Sequence, residues 1–219
     1  MNDGYFKTIK EFRDTKPAYK LIGDAVKELL PTKGNRVGFI ISFLIAMIFA
    51  SIIGVSIKTV EILSNVVGVL LNVQLAMFGC VFTVYSILLA FLSDGYMKRL
   101  GKIETNNKTS VLKQSTTYYE SILFLYFINI GITGVISLLT SCLSPDFRLT
   151  ESICFDTILA TGLLLIYFLF SFRLFYELKS TIYNTVVLFR ASIAYRFIDY
   201  SVEENQENAE NEKEEGGIH

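Results

Sequence analysis

Charged and uncharged positions separate along this chain into long blocks. Residues 37–57 form a run of 21 uncharged residues, 62–93 a run of 32, and 121–145 a run of 25. A fourth run, 157–172, has 16, or 20 when counted from Ile153 across Asp156. A helix rises about 1.5 Å per residue, so about 20 residues cross a hydrocarbon core of roughly 30 Å. Four such runs predict four transmembrane helices, at about 37–57, 73–93, 121–143 and 153–172. The expected fold is all-α: an integral membrane four-helix bundle with amphipathic cytoplasmic helices at both ends. The second run exceeds one crossing, and Asn65, Gly68, Asn72 and Gln74 cluster in its first half. Either this helix projects beyond the bilayer, or residues 60–71 form a separate outer interfacial helix.

The polar blocks set the orientation. Segment 1–36 holds eight Lys or Arg: Lys7, Lys10, Arg13, Lys16, Lys20, Lys27, Lys33 and Arg36. The first loop has only Lys58, and the second has Lys98, Arg99, Lys102, Lys108 and Lys113. The third loop has only Arg148, and the C-terminal segment has Arg173, Lys179, Arg190, Arg196 and Lys213. Basic loops stay in the cytoplasm, so both termini and the second loop face inward and the chain belongs in the inner or plasma membrane. The net charge of -1 hides this alternation because acids balance the bases in total. Segment 1–36 lacks the early apolar core of a cleaved signal peptide and is interrupted by Pro17 and Pro31.

Within that segment, residues 18–30 read as an amphipathic helix with Ile22, Val26, Leu29 and Leu30 on one face. Lipid contact or packing under the bundle is the expectation, with a partner site as the alternative. Beyond the fourth span, residues 173–200 continue a helical pattern. Phe175, Leu178, Ile182, Val186, Phe189, Ile193 and Phe197 follow steps of three and four, with Glu177, Ser180, Thr181 and Asn184 opposite. Such a stripe packs on the N-terminal helix, packs on a neighbouring copy, or docks a soluble cytoplasmic protein. Residues 201–219 read as a disordered acidic tail, since seven of the 21 acids lie in 203–215 and no apolar period remains.

The four spans hold no Asp, Glu, Lys, Arg or His apart from Asp156 at the start of the fourth. Ionisable groups in a bilayer mark ion pathways and proton relays, so their absence weighs against a proton-coupled pump, a voltage sensor or an intramembrane protease of the carboxylate or metal type. The sole histidine is His219, and no phosphate loop, GxSxG elbow or nucleotide fingerprint occurs. The reading is non-enzymatic, with no cofactor and no nucleic-acid partner. Two patterns remain. Gly38, Ser42, Ala46, Ala50 and Gly54 repeat every four residues in the first span, a ladder that lets two helices approach closely. Tyr126, Asn129, Thr133, Ser137, Thr140 and Ser141 line one face of the third span. That stripe serves either interhelical hydrogen bonding or the wall of a water-filled path in an oligomer. Cys142 and Cys154 flank the third loop and either bridge it or never meet, while Cys80 lies in the second run.

The layout resembles the small four-helix membrane proteins of bacteria that travel with phage-defence genes. The likeness covers the whole chain, with Gln74-Leu75-Ala76-Met77-Phe78-Gly79 leading through residues 81–92 to Asp94 as its nearest approach to a motif. It implies a membrane component that senses infection or perturbs the envelope together with a soluble partner. The expected function is that of a non-enzymatic oligomeric membrane protein, a pore-like effector or a sensor-anchor in bacterial defence or stress. The alternatives are a scaffold subunit holding a soluble partner at the membrane and a small-solute transporter.

Overall fold

The computed structural model describes residues 17–31, 35–91, 110–145, 147–148 and 152–215, with Arg13, Leu100 and Thr150 besides. The described chain is all-helical: α1 (Ala18–Leu29), α2 (Arg36–Gly54), α3 (Thr59–Phe91), α4 (Val111–Cys142) and α5 (Ile153–Glu215). Four of these, α2 to α5, contain stretches long and apolar enough to cross a membrane.

Local chemistry sets the helix ends. Pro17 precedes α1, its carbonyl accepting from the Lys20 amide at 2.9 Å. Leu30 is extended at φ -70°, ψ 156°, the conformation a residue before proline prefers, and α1 stops there. The turn between α2 and α3 is tied by Thr59, whose hydroxyl lies 3.0 Å from the Ile53 carbonyl and 2.6 Å from that of Ser56. Ser110 caps α4, its hydroxyl accepting from the Lys113 amide at 3.2 Å. In the third loop, the Asp156 carboxylate accepts from the Thr150 hydroxyl at 2.7 Å and the Thr150 amide at 3.1 Å. An acid in the first turn of α5 also complements the helix dipole.

The chain divides into two units. One comprises Lys16–Thr83 with Thr116–Thr181; the other comprises Met1–Thr15, Val84–Ser115 and Ile182–His219. The first holds the main cores. Its packing is inverted relative to a water-soluble bundle: α2 buries Gly38, Ser42, Ala46 and Ala50 and exposes Ile40, Leu44, Ile48 and Ile52. One core joins Ala46, Ala50 and Ile53 of α2 to Val67 and Leu70 of α3 and to Leu164, Tyr167 and Phe168 of α5. A second joins Ala25 and Leu29 of α1 to Val81, Ile122, Leu125, Tyr126 and Leu174. In the other unit, Leu88, Leu100, Ser110 and Ser192 are buried.

The described helices bear on three expectations. First, α3 is one unbroken helix of 33 residues, with no separate interfacial helix over 60–71. The half of α3 lying beside α2 and the apolar part of α5 is the one carrying Asn65, Gly68, Asn72 and Gln74, since Val67 and Leu70 sit in the first core. Val81, within the expected span, sits with Ala25 and Leu29 of α1 in the second core. Second, α1 turns Ala25 and Leu29 inward and leaves Val26 and Leu30 exposed, with Ile22 half-buried. The anticipated single apolar face is thus split between bundle and surroundings. Third, α5 continues as helix to Glu215, through residues whose composition predicts a disordered tail. A helix that is already nucleated extends at little cost, and Glu, Gln, Ala and Lys are good helix formers.

Candidate functional site

Two polar clusters are built into the bundle, and α5 carries the centre of each. The first is neutral. Tyr126, Asn129 and Thr133, at steps of three and four on α4, are fully buried. The Ser171 hydroxyl of α5 donates to Asn129 Oδ1 at 3.0 Å and faces Gln74 Nε2 of α3 at 3.5 Å. Thr133 donates to the Asn129 carbonyl at 2.8 Å and lies 2.9 Å from the Tyr167 hydroxyl of α5. The Tyr126 hydroxyl donates to the Leu174 carbonyl at 3.0 Å. Side chains from three helices thus meet around Ser171. Gln74 Oε1 and Asn129 Nδ2, an acceptor and a donor, have no hydrogen-bond partner.

The polar stripe of the third span therefore divides. Tyr126, Asn129 and Thr133 point into the chain's own interior and bond to α5, which is the packing arrangement. Thr140 is buried, and its hydroxyl donates to the Ser137 carbonyl at 3.1 Å; exposed Ser141 donates to the same carbonyl at 2.8 Å. Ser137 is half-buried. The hydroxyls of Thr140 and Ser141 close on their own helix and not on a neighbouring one.

The second cluster is charged. Arg173 is 2% exposed and Glu177 8%, and Nη2 of the one lies 2.6 Å from Oε1 of the other. Arg173 Nε donates to the Leu29 carbonyl at 3.0 Å, so a cation satisfies an orphan carbonyl at the C-terminus of α1. Asn35, which precedes α2, donates through Nδ2 to Glu177 Oε1 at 2.9 Å. The guanidinium also lies 5.6 Å from the centre of the Tyr176 ring. Nη1 has no partner, and neither Nη group makes a well-directed hydrogen bond. Sequence reasoning counted Arg173 only as an orientation charge. Its signal was an Arg–Glu pair four apart on a helix, opening immediately after an uncharged run.

The ladder of α2 packs against α5. A methyl on Gly38 would collide with the Tyr176 ring, and one on Gly54 with Thr161. The Ser42 hydroxyl reaches the Phe172 carbonyl at 3.3 Å, while Ala46 and Ala50 sit in the first core. Along α5, Phe175 and Leu178 are half-buried in the bundle, whereas Ile182, Val186, Phe189, Ile193 and Phe197 are exposed. Cys80, Cys142 and Cys154 are free and exposed.

Chemically, the neutral cluster offers amides and hydroxyls, which orient and bind. In the charged cluster Arg173 and Glu177 neutralise each other. Among the described residues no group of three or more His, Cys, Asp or Glu is placed to hold a metal ion. Comparison of the chain with known family models, curated proteins and solved structures finds no match.

Proposed function

We propose that this chain is a non-enzymatic membrane anchor: a four-helix bundle in the inner membrane, both ends in the cytoplasm, holding α5 for a soluble protein partner. One observation carries the reading. The helix that bonds to α1, α2, α3 and α4 inside the bundle is the helix that continues unbroken for 63 residues. Such a helix is about 95 Å long, against a hydrocarbon core of roughly 30 Å, so most of it lies outside the bilayer. The alternating basic loops put that part in the cytoplasm, where Ile193 and Phe197 stay exposed. The expected result is one soluble protein co-purifying with the chain from its own membranes and lost on joint Ile193→Asp and Phe197→Asp substitution. Undiminished co-purification after that change would contradict the reading, as would the absence of any stoichiometric partner.

Self-association is a second reading, favoured by a separate feature. Asn65 and Asn72, seven residues apart on α3, are exposed beside lipid-facing residues, and Gly68 and Gly79 have open space around them. Amides and small residues on an apolar surface suit close helix–helix contact. Native mass spectrometry in nanodiscs should give a defined oligomer that Asn72→Leu weakens. A monomer in the parent protein would refute this reading and leave the anchor intact.

A further inference from the structure

An apolar groove of about 380 Å³ runs along the bundle between α2, α3 and α5. It is lined by Phe49 of α2, Val66 and Val73 of α3, and Phe168, Phe172 and Phe175 of α5. The phenylalanines of α5 are spaced by four and three residues, and the next step of four along the same stripe reaches Lys179, whose side chain is exposed. The only polar residue lining the groove is Asn65, at the end far from Lys179. An apolar slot with the exposed cation of Lys179 beyond its cytoplasmic end suits a ligand that joins an apolar chain to an anionic head. We propose that the groove binds an acyl chain of an anionic phospholipid from the inner leaflet, with the headgroup phosphate at Lys179.

The physical case rests on placement. The groove opens on the flank of helices that expose Ile48, Ile52 and Val69, so hydrocarbon bathes it when the bundle is in a bilayer. This inference rests on the membrane reading above. Aromatic rings fill such a slot only partly, and a flexible chain completes the packing that a rigid neighbour would not. Lys179 lies 5.8 Å from the centre of the Tyr176 ring, which holds its ammonium near the surface of the bundle. Close to an anionic surface each basic residue contributes about 1 kcal/mol, which is about a fivefold preference in binding.

The absence of tryptophan from the chain gives a clean test. Phe175→Trp places one fluorophore in the groove, Val69→Trp one at its lip, and Leu44→Trp one on the outer face of α2. Each full-length variant is reconstituted into phosphatidylcholine vesicles containing phosphatidylglycerol, with brominated tails on one lipid or the other. At equal bromine content, the groove tryptophans are expected to be quenched with about a fivefold preference for brominated phosphatidylglycerol, and Lys179→Gln removes it. Leu44→Trp is quenched by both lipids alike. Equal quenching of the groove tryptophans by the two lipids overturns the proposal, as does no quenching because a second copy fills the slot. No quenching at Leu44→Trp overturns the membrane reading itself. If Phe175→Trp does not fold, Val69→Trp carries the same readout.

Discussion

Ser171 and Arg173 stand two positions apart on α5 and anchor polar clusters of opposite character. Residues so spaced on a helix point to nearly opposite sides. Ser171 faces α3 and α4 and gathers neutral groups, whereas Arg173 faces the end of α1 and meets Glu177 and, through it, Asn35. The neutral cluster shares its bonds among Gln74, Asn129, Thr133 and Tyr167, and it tolerates an unpaired amide atom at each of two residues. The charged cluster concentrates its connections in one pair, and it joins residues more than 140 positions apart in sequence. Redundant neutral bonds set orientation at small cost. A buried ion pair instead makes a joint that holds fully or fails, because removing either partner strands the other charge.

The largest effect should therefore come from breaking the pair. Arg173→Ala or Glu177→Ala is expected to cost about 3–5 kcal/mol, read as loss of folded protein during denaturation in detergent micelles. Joint Arg173→Leu and Glu177→Leu substitution should recover most of that loss; failure to recover would show that the contacts to Leu29 and Asn35 matter more than the charges. Next comes the close approach of α2 to α5. Gly54→Val forces its added bulk onto Thr161 and is expected to cost about 1–3 kcal/mol in the same denaturation measurement. The neutral cluster should respond less. Asn129→Leu is expected to cost about 0.6–1.7 kcal/mol, the range of single interhelical hydrogen bonds in membranes, and a loss as large as that of Arg173→Ala would erase the distinction between the two clusters. Smallest is Ser141→Ala, within about 0.5 kcal/mol, since that hydroxyl is exposed and bonds only to its own helix.

Much of this contrast was legible in the sequence, though unevenly. Run lengths located four membrane-length helices, and the four-residue ladder of α2 marked the face that meets α5. The stripe Tyr126, Asn129 and Thr133 was visible as a polar face, but periodicity alone does not say whether such a face looks inward or into a lumen. Its partners Gln74, Tyr167 and Ser171 lie on other helices, and only the packing brings them together. The register of α3 was hidden for a related reason. The expected span was 73–93, whereas Val67, Leu70 and Gln74 settle against α2 and α5 because their shapes and bonds fit there. The continuation of α5 to Glu215 escaped composition because propagation from a folded helix overrides an acidic segment's own weak tendency.

If four helices cross a membrane and deliver α5 to the cytoplasm, thiols at the two ends of α5 must lie on opposite sides of the membrane. Cys142 ends α4 and Cys154 opens α5, and both are exposed. Variants keeping one of these cysteines, or carrying only Ser201→Cys, are treated with a membrane-impermeant maleimide in right-side-out and inverted vesicles. Cys142 and Cys154 are expected to react only in right-side-out vesicles and the cysteine at position 201 only in inverted ones. Labelling of all three from the same side would contradict that topology.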